Sequence, residues 1–192
     1  EFHQFDALKV VNPDFWLDWF DAIHASPPCQ AYSVANNIHG RTDHPMMIPE
    51  VRELLIQTGL PYVIENVPRA PLIDPVTVCG LSLGLNVKRH RLFESNVPLM
   101  VPPCHSKHDG DWLLVFGHTV LERGHELVSK AETPDGAPYP IIRRKHTTTA
   151  RGREAMGIDW MTRDELSEAI PPAYTELIGH QLLQHVKAKA AA

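Results

Sequence analysis

No apolar run in this chain approaches the roughly 20 residues that a membrane span requires, and no leader peptide can be recognised, so the expectation is a protein of the cytoplasm. Cysteine is scarce. Cys29, Cys79 and Cys104 are odd in number and far apart, which argues against a disulfide framework and fits a reducing compartment. Residues 1–20 contain no glycine, and no segment repeats. An excess of basic charge is also missing. A formal net charge of -5 excludes a chain that is basic throughout, while leaving room for a local basic surface. What remains is an ordinary globular balance, 43% hydrophobic and 21% charged over 192 residues. That is enough for one domain with a sizeable core and a small insert.

Asp21–Ala25 is short and largely apolar and is closed by Ser26-Pro27-Pro28, which predicts a buried strand running into a rigid loop. The polar stretch from Ala31 to Pro45 reads as a long mobile loop. Val51, Leu54 and Leu55 have helical spacing over Pro49–Thr58, with Gly59 as a stop. Pro61–Ile64 then predicts a second buried strand, ending at Glu65-Asn66, and Arg91–Glu94 a third. Alternation of strand and helix predicts a parallel α/β sheet, whose ligands would gather at the carboxyl ends of the strands. From about Pro98 to Thr149, prolines, glycines and histidines recur without clear periodicity, so an irregular insert is expected. Parts of Arg151–Leu166 look helical. The final segment places Tyr174, Leu177, Ile178, Leu182 and Val186 on one helix face behind Pro171 and Pro172.

Three groups carry chemistry. Cys29, on the stiff Pro27-Pro28-Cys29-Gln30 turn, is placed as a nucleophile, although a lone cysteine is more often a small buried hydrophobe. Glu65 follows four apolar residues, where a carboxyl is costly to bury without a partner and can be held protonated. Arg89 and Arg91 alternate and would share one face of a strand, able to hold a carboxylate, a carbonyl or phosphates.

In order and spacing, Pro-Cys-Gln, Glu-Asn-Val and Arg-x-Arg resemble the central motifs of the DNA (cytosine-5) methyltransferases, above all the short enzymes of bacteriophages and bacteria. Phe5-Asp6-Ala7-Leu8, Ala155-Met156-Gly157 and Ala169–Tyr174 extend the resemblance over nearly the whole chain apart from the insert. It implies a partial Rossmann-like methyltransferase sheet with a small irregular DNA-recognition insert. It also implies methyl transfer from S-adenosylmethionine to carbon 5 of a flipped cytosine, in a setting such as restriction–modification. Cys29 would add to ring carbon 6, Glu65 would bind N3 and the exocyclic amine, Arg91 would hold O2, and Arg89 would orient Glu65 or Cys29. Asp6, Ala7, Pro28 and Glu168 would meet the donor, with Glu168 standing where the family usually has asparagine. Gln30, Ser33 and Arg41 would contact double-stranded DNA as the base leaves the duplex.

The family opens on a Phe-x-Gly-x-Gly turn that cradles the donor, and this chain begins at Glu1 without it. The expectation is that a missing upstream segment or a second chain completes the donor site, or that the chain is a truncated homologue that binds DNA or a partner without chemistry. The expected divisions are 1–97, an N-terminally truncated catalytic domain; 98–150, a target-recognition region; and 151–192, C-terminal helices returning to the catalytic domain. Between Ile141 and Arg153 lie Arg143, Arg144, Lys145, Arg151 and Arg153 with no acid, a composition suited to phosphate contacts. A thiol hydrolase using Cys29 with His24 is disfavoured, because no glycine-rich oxyanion turn follows the cysteine. Cys104, His105, His108 and His118 include zinc-ligand types, but the second cysteine of a local pair is missing and Cys79 lies on another segment, so no metal is expected.

Overall fold

The computed structural model describes residues 4, 6–10, 19–32, 44–104, 108, 110–116, 119–132 and 138–191. They form a mixed α/β protein of two units. The first comprises Glu1–Val78, His90–Pro102 and Glu176–Ala192, and the second Cys79–Arg89 and Pro103–Thr175.

In the first unit, strand β1 (Ile23–Ala25) leads through helix α2 (Ile48–Thr58) to β2 (Tyr62–Asn66). A short helix, α1 (Ala7–Val10), precedes them. Pro49 starts α2 and Gly59 ends it in the left-handed region at φ 65°, a conformation open to glycine without steric cost. Because a helix connects them, β1 and β2 pair in parallel, with Ile23 opposite Tyr62 and Ala25 opposite Ile64. Val51, Leu55, Tyr62 and Ile64 form the core under α2, joined by Leu8, Ile23 and Leu72.

The expectation of a parallel sheet fails at the next strand. β3 (Val76–Cys79) and β4 (His90–Ser95) complete a four-stranded sheet of order β1-β2-β4-β3, and β4 runs antiparallel to β2. Between Asn66 and His90 lie β3 and the short 3-10 turn Gly80–Leu83, with no α-helix to serve as the crossover that a parallel return usually takes. β1 is also less buried than expected: Ile23 and Ala25 are half-buried and His24 is exposed, whereas all five residues of β2 are buried.

The second unit corrects the expectation of an irregular insert. β5 (Leu113–Phe116), β6 (Thr119–Glu132) and β7 (Pro138–His146) form an antiparallel three-stranded sheet. Pro138 and Pro140 obscured β7 in the sequence, but this strand lies at the sheet's edge, where a missing N–H is tolerated. Register shifts between Leu121 and His125 and between Leu127 and Ser129 break the alternation of β6. Helices α3 (Thr149–Met156) and α4 (Arg163–Glu168) close a core of Val87, Leu113, Val115, Val120, Met156, Ile158 and Leu166. This unit therefore takes in Cys79–Arg89 and residues up to Thr175, where the sequence suggested boundaries at 98 and 150. The final helix, α5 (Pro172–Ala190), buries Tyr174, Ile178 and Leu182. Among the described residues, no helix is long and apolar enough to cross a membrane.

Candidate active site around Cys29 and Glu65

The parallel pairing of β1 and β2 brings their carboxyl ends to one edge of the sheet. Ala25 is level with Ile64, so Glu65 and the turn carrying Cys29 follow at the same end. Pro27 and Pro28 fix their own φ angles and keep the turn extended. The buried Asn66 side chain then ties it down, its Nδ2 donating to the Pro27 carbonyl at 2.9 Å. Beyond Cys29 the chain enters a 3-10 turn, Gln30–Tyr32, in which the Tyr32 N–H donates to the Cys29 carbonyl at 3.0 Å. Cys29 is half-buried and a free thiol. Pro28 and Gln30 are exposed.

Glu65 is only 6% exposed. Its register partner on β4 is Phe93, and Arg91 lies two residues from Phe93, so Glu65 and Arg91 are diagonal neighbours on one face of an antiparallel pair. Arg91 Nε reaches Glu65 Oε1 at 3.0 Å. The sheet thus buries an acid beside its counter-charge at the strand end that also bears the cysteine turn.

Arg89 behaves differently from the paired role its spacing suggested. It precedes β4 and belongs to the second unit, where it is buried and donates through its two terminal nitrogens to the carbonyls of Val115, at 2.5 Å, and Ser167, at 2.7 Å. Its own carbonyl accepts from Tyr174 Oη at 2.5 Å. Arg89 therefore joins β5, α4 and the start of α5.

Asp6 is exposed, its Oδ1 accepts from the Leu8 N–H at 3.2 Å, and its Oδ2 lies 3.9 Å from Lys9 Nζ, so the carboxylate caps α1. Ala7 begins that helix. Glu168 is exposed at the end of α4, in the other unit. Of the expected DNA contacts, Ser33 and Arg41 lie outside the described residues, as do Phe5, His105 and His118. Arg143 and Arg144 are register partners of Glu126 and His125, and Lys145 follows them on β7. Arg151 is ion-paired with Glu122.

Two features escaped the sequence. Glu94 on β4 is buried and receives Arg52 Nε at 2.6 Å and a second Arg52 nitrogen at 2.8 Å, with the Ile73 N–H at 2.7 Å. The adjacent carboxylate raises the Arg52 pKa, more than burial lowers it. The pair fastens α2 to the sheet, and nothing in a sequence separation of 42 residues announces it. The second feature is Asn66, whose side chain, rather than the prolines alone, sets the position of the cysteine turn. No protein-family model matches the chain, and no curated protein does.

Proposed function

We propose that this chain is the catalytic part of a DNA (cytosine-5) methyltransferase, in which Cys29 forms a covalent adduct with a flipped cytosine and carbon 5 receives a methyl group from S-adenosylmethionine. The partial Rossmann-like character of the sheet belongs to this reading. The observation that carries it is the buried Glu65–Arg91 pair at the strand end that also bears the Cys29 turn.

Carbon 5 of cytosine is a poor nucleophile. When the Cys29 thiolate bonds to carbon 6, the carbon 5–carbon 6 π pair moves onto carbon 5 and is shared through carbon 4 with N3, so carbon 5 becomes enamine-like. Glu65 acts at N3 and the exocyclic amine, where charge develops, and Arg91 both holds Glu65 and faces the ring carbonyl. After methylation a base removes the carbon 5 proton, the ring double bond re-forms and the thiolate leaves.

The test is transfer of a labelled methyl group to unmethylated genomic DNA by the chain and by Cys29→Ser, with trapping on DNA containing 5-fluorocytosine. Incorporation and a stable adduct, both abolished by Cys29→Ser, are expected. DNA binding without either would replace this reading with that of a homologue that binds DNA or a partner and does no chemistry.

A further inference from the structure

Cys79, Cys104 and His108, dispersed in sequence, converge within the second unit: one ligand atom from each lies within 4.8 Å of the others. Cys79 is fully buried at the end of β3, while Cys104 and His108 are half-buried. All three cysteines of the chain are free thiols. Cys104 Sγ lies 3.7 Å from His108 Nε2.

Hydrogen bonds tie down the backbone beside this cluster. Gly80, next to Cys79, donates its N–H to the Arg89 carbonyl at 3.4 Å, and a Cβ at Gly80 would fall 2.5 Å from the Val87 carbonyl oxygen, so only glycine lets the chain turn there. Ser82 Oγ donates to the Pro103 carbonyl at 3.0 Å and thereby seats Cys104. The Trp112 indole N–H donates to the His108 carbonyl at 3.0 Å, and the Lys88 ammonium lies 5.0 Å from the centre of the Trp112 ring. The Gly80 N–H and the carbonyls of Pro103 and His108 are thus each held by a hydrogen bond beside the cluster.

We propose that Cys79, Cys104 and His108 bind a zinc ion. Two thiolates and an imidazole are the donor set that a borderline-soft, tetrahedral cation takes. Two thiol protons leave as the metal enters. The fourth position falls to water. The local Cys-x-x-x-His spacing supplies two ligands from one loop, and the fold supplies the cysteine that the sequence places 25 residues earlier. This is independent of the chemistry proposed at Cys29.

The experiment uses the full chain. Metal content is measured after purification, then zinc affinity by competition with a colorimetric chelator, then the visible spectrum with cobalt(II) in place of zinc. One zinc per chain is expected, together with thiolate-to-cobalt charge-transfer bands and tetrahedral ligand-field bands. Cys104→Ser and His108→Ala each weaken binding at least tenfold, whereas Cys29→Ser leaves it unchanged. Since Cys79→Ser acts at a buried position and can unfold the unit, the cobalt spectrum of the wild-type chain decides the thiolate ligation without it. Absence of metal uptake by the reduced chain, uptake that survives both Cys104→Ser and His108→Ala, or a Cys79–Cys104 disulfide that persists in place of metal would each overturn the proposal.

Discussion

Glu65 shows how much a single buried acid depends on its neighbour. Its side chain is 8% exposed and that of Arg91 12%, so neither charge is well solvated if the other is removed. Breaking such a pair from one side costs about 3 kcal/mol or more. Arg91→Ala is therefore expected to lower stability by about 3 kcal/mol in urea unfolding, with loss of covalent trapping. Arg91→Lys retains charge but loses the planar fork and should fall between the two. A variant that unfolds at the wild-type urea concentration would show that the pair contributes nothing to the fold. The pairing of Glu65 with Arg91 was hidden, the sequence having set Arg89 beside Glu65, but the placement of Cys29 and Glu65 after strands was legible from the apolar runs before them. Arg52 and Glu94 were not legible, since a charged residue on a helix and another on a strand each look like ordinary surface residues until the fold buries one against the other.

At the scale of elements, two features of the second unit make sharp predictions. Gly152 sits inside α3, where glycine is normally unfavourable, because an added Cβ would meet Val120 Cγ2 at 2.7 Å and Leu166 Cδ2 at 3.1 Å. Val120 is stiff at χ1 and cannot swing aside. Gly152→Ala should therefore destabilise by about 1–3 kcal/mol through overpacking, despite alanine's better helix propensity; a more stable variant in urea unfolding would contradict the packing argument. The other feature is the start of α4, where Thr162 and Glu165 cap each other: the Thr162 N–H and hydroxyl both donate to Glu165 Oε2 at 2.8 Å. Those hydrogen bonds hold the Glu165 carboxyl below the usual carboxylate range. A depressed carboxyl contributes stability above its unfolded pKa and loses that contribution as pH falls through its folded pKa. The stability gap between wild type and Thr162→Ala should accordingly be present near neutral pH and shrink on acidification. A gap that grew in acid would have the wrong sign.

Those elements were unequally visible. The helix before Gly59 was plain from Val51, Leu54 and Leu55, and Tyr62–Asn66 from its apolar run. β6 and β7 were hidden because their register shifts erase the period-two pattern, and Pro138 and Pro140 read as breakers when the strand's edge position is unknown. The missed antiparallel direction of β4 has a similar cause. Sequence shows a strand, but its direction depends on what the connection leaves room for.

For the molecule as a whole, charge decides how nucleic acid would be met. The chain is acidic, with a formal net charge of -5, so attraction to DNA must come from a local surface rather than from total charge. The acid-free run from Ile141 to Arg153 is the best source of it, but its members are not equivalent. Arg151 is already engaged by Glu122, and drawing it onto a phosphate would leave that acid unpaired. Arg143, Arg144 and Lys145 follow one another on β7, a single element that can follow a backbone. Each phosphate neutralised releases counterions and adds about 0.9 to the slope of log affinity against log salt. Replacing Arg143, Arg144 and Lys145 together by alanine should thus weaken binding of duplex DNA and reduce that slope by about 2, since Arg143 and Lys145 share one face of the strand and Arg144 the other. Arg151→Ala should change it by less than one unit. A fluorescence-anisotropy titration at several salt concentrations measures both. If the triple variant keeps the wild-type slope, DNA is held elsewhere on the chain and the basic run is a solvated strand edge. If Arg151→Ala alone matches the triple variant, the Glu122 pairing yields to phosphate and α3, rather than β7, faces the duplex.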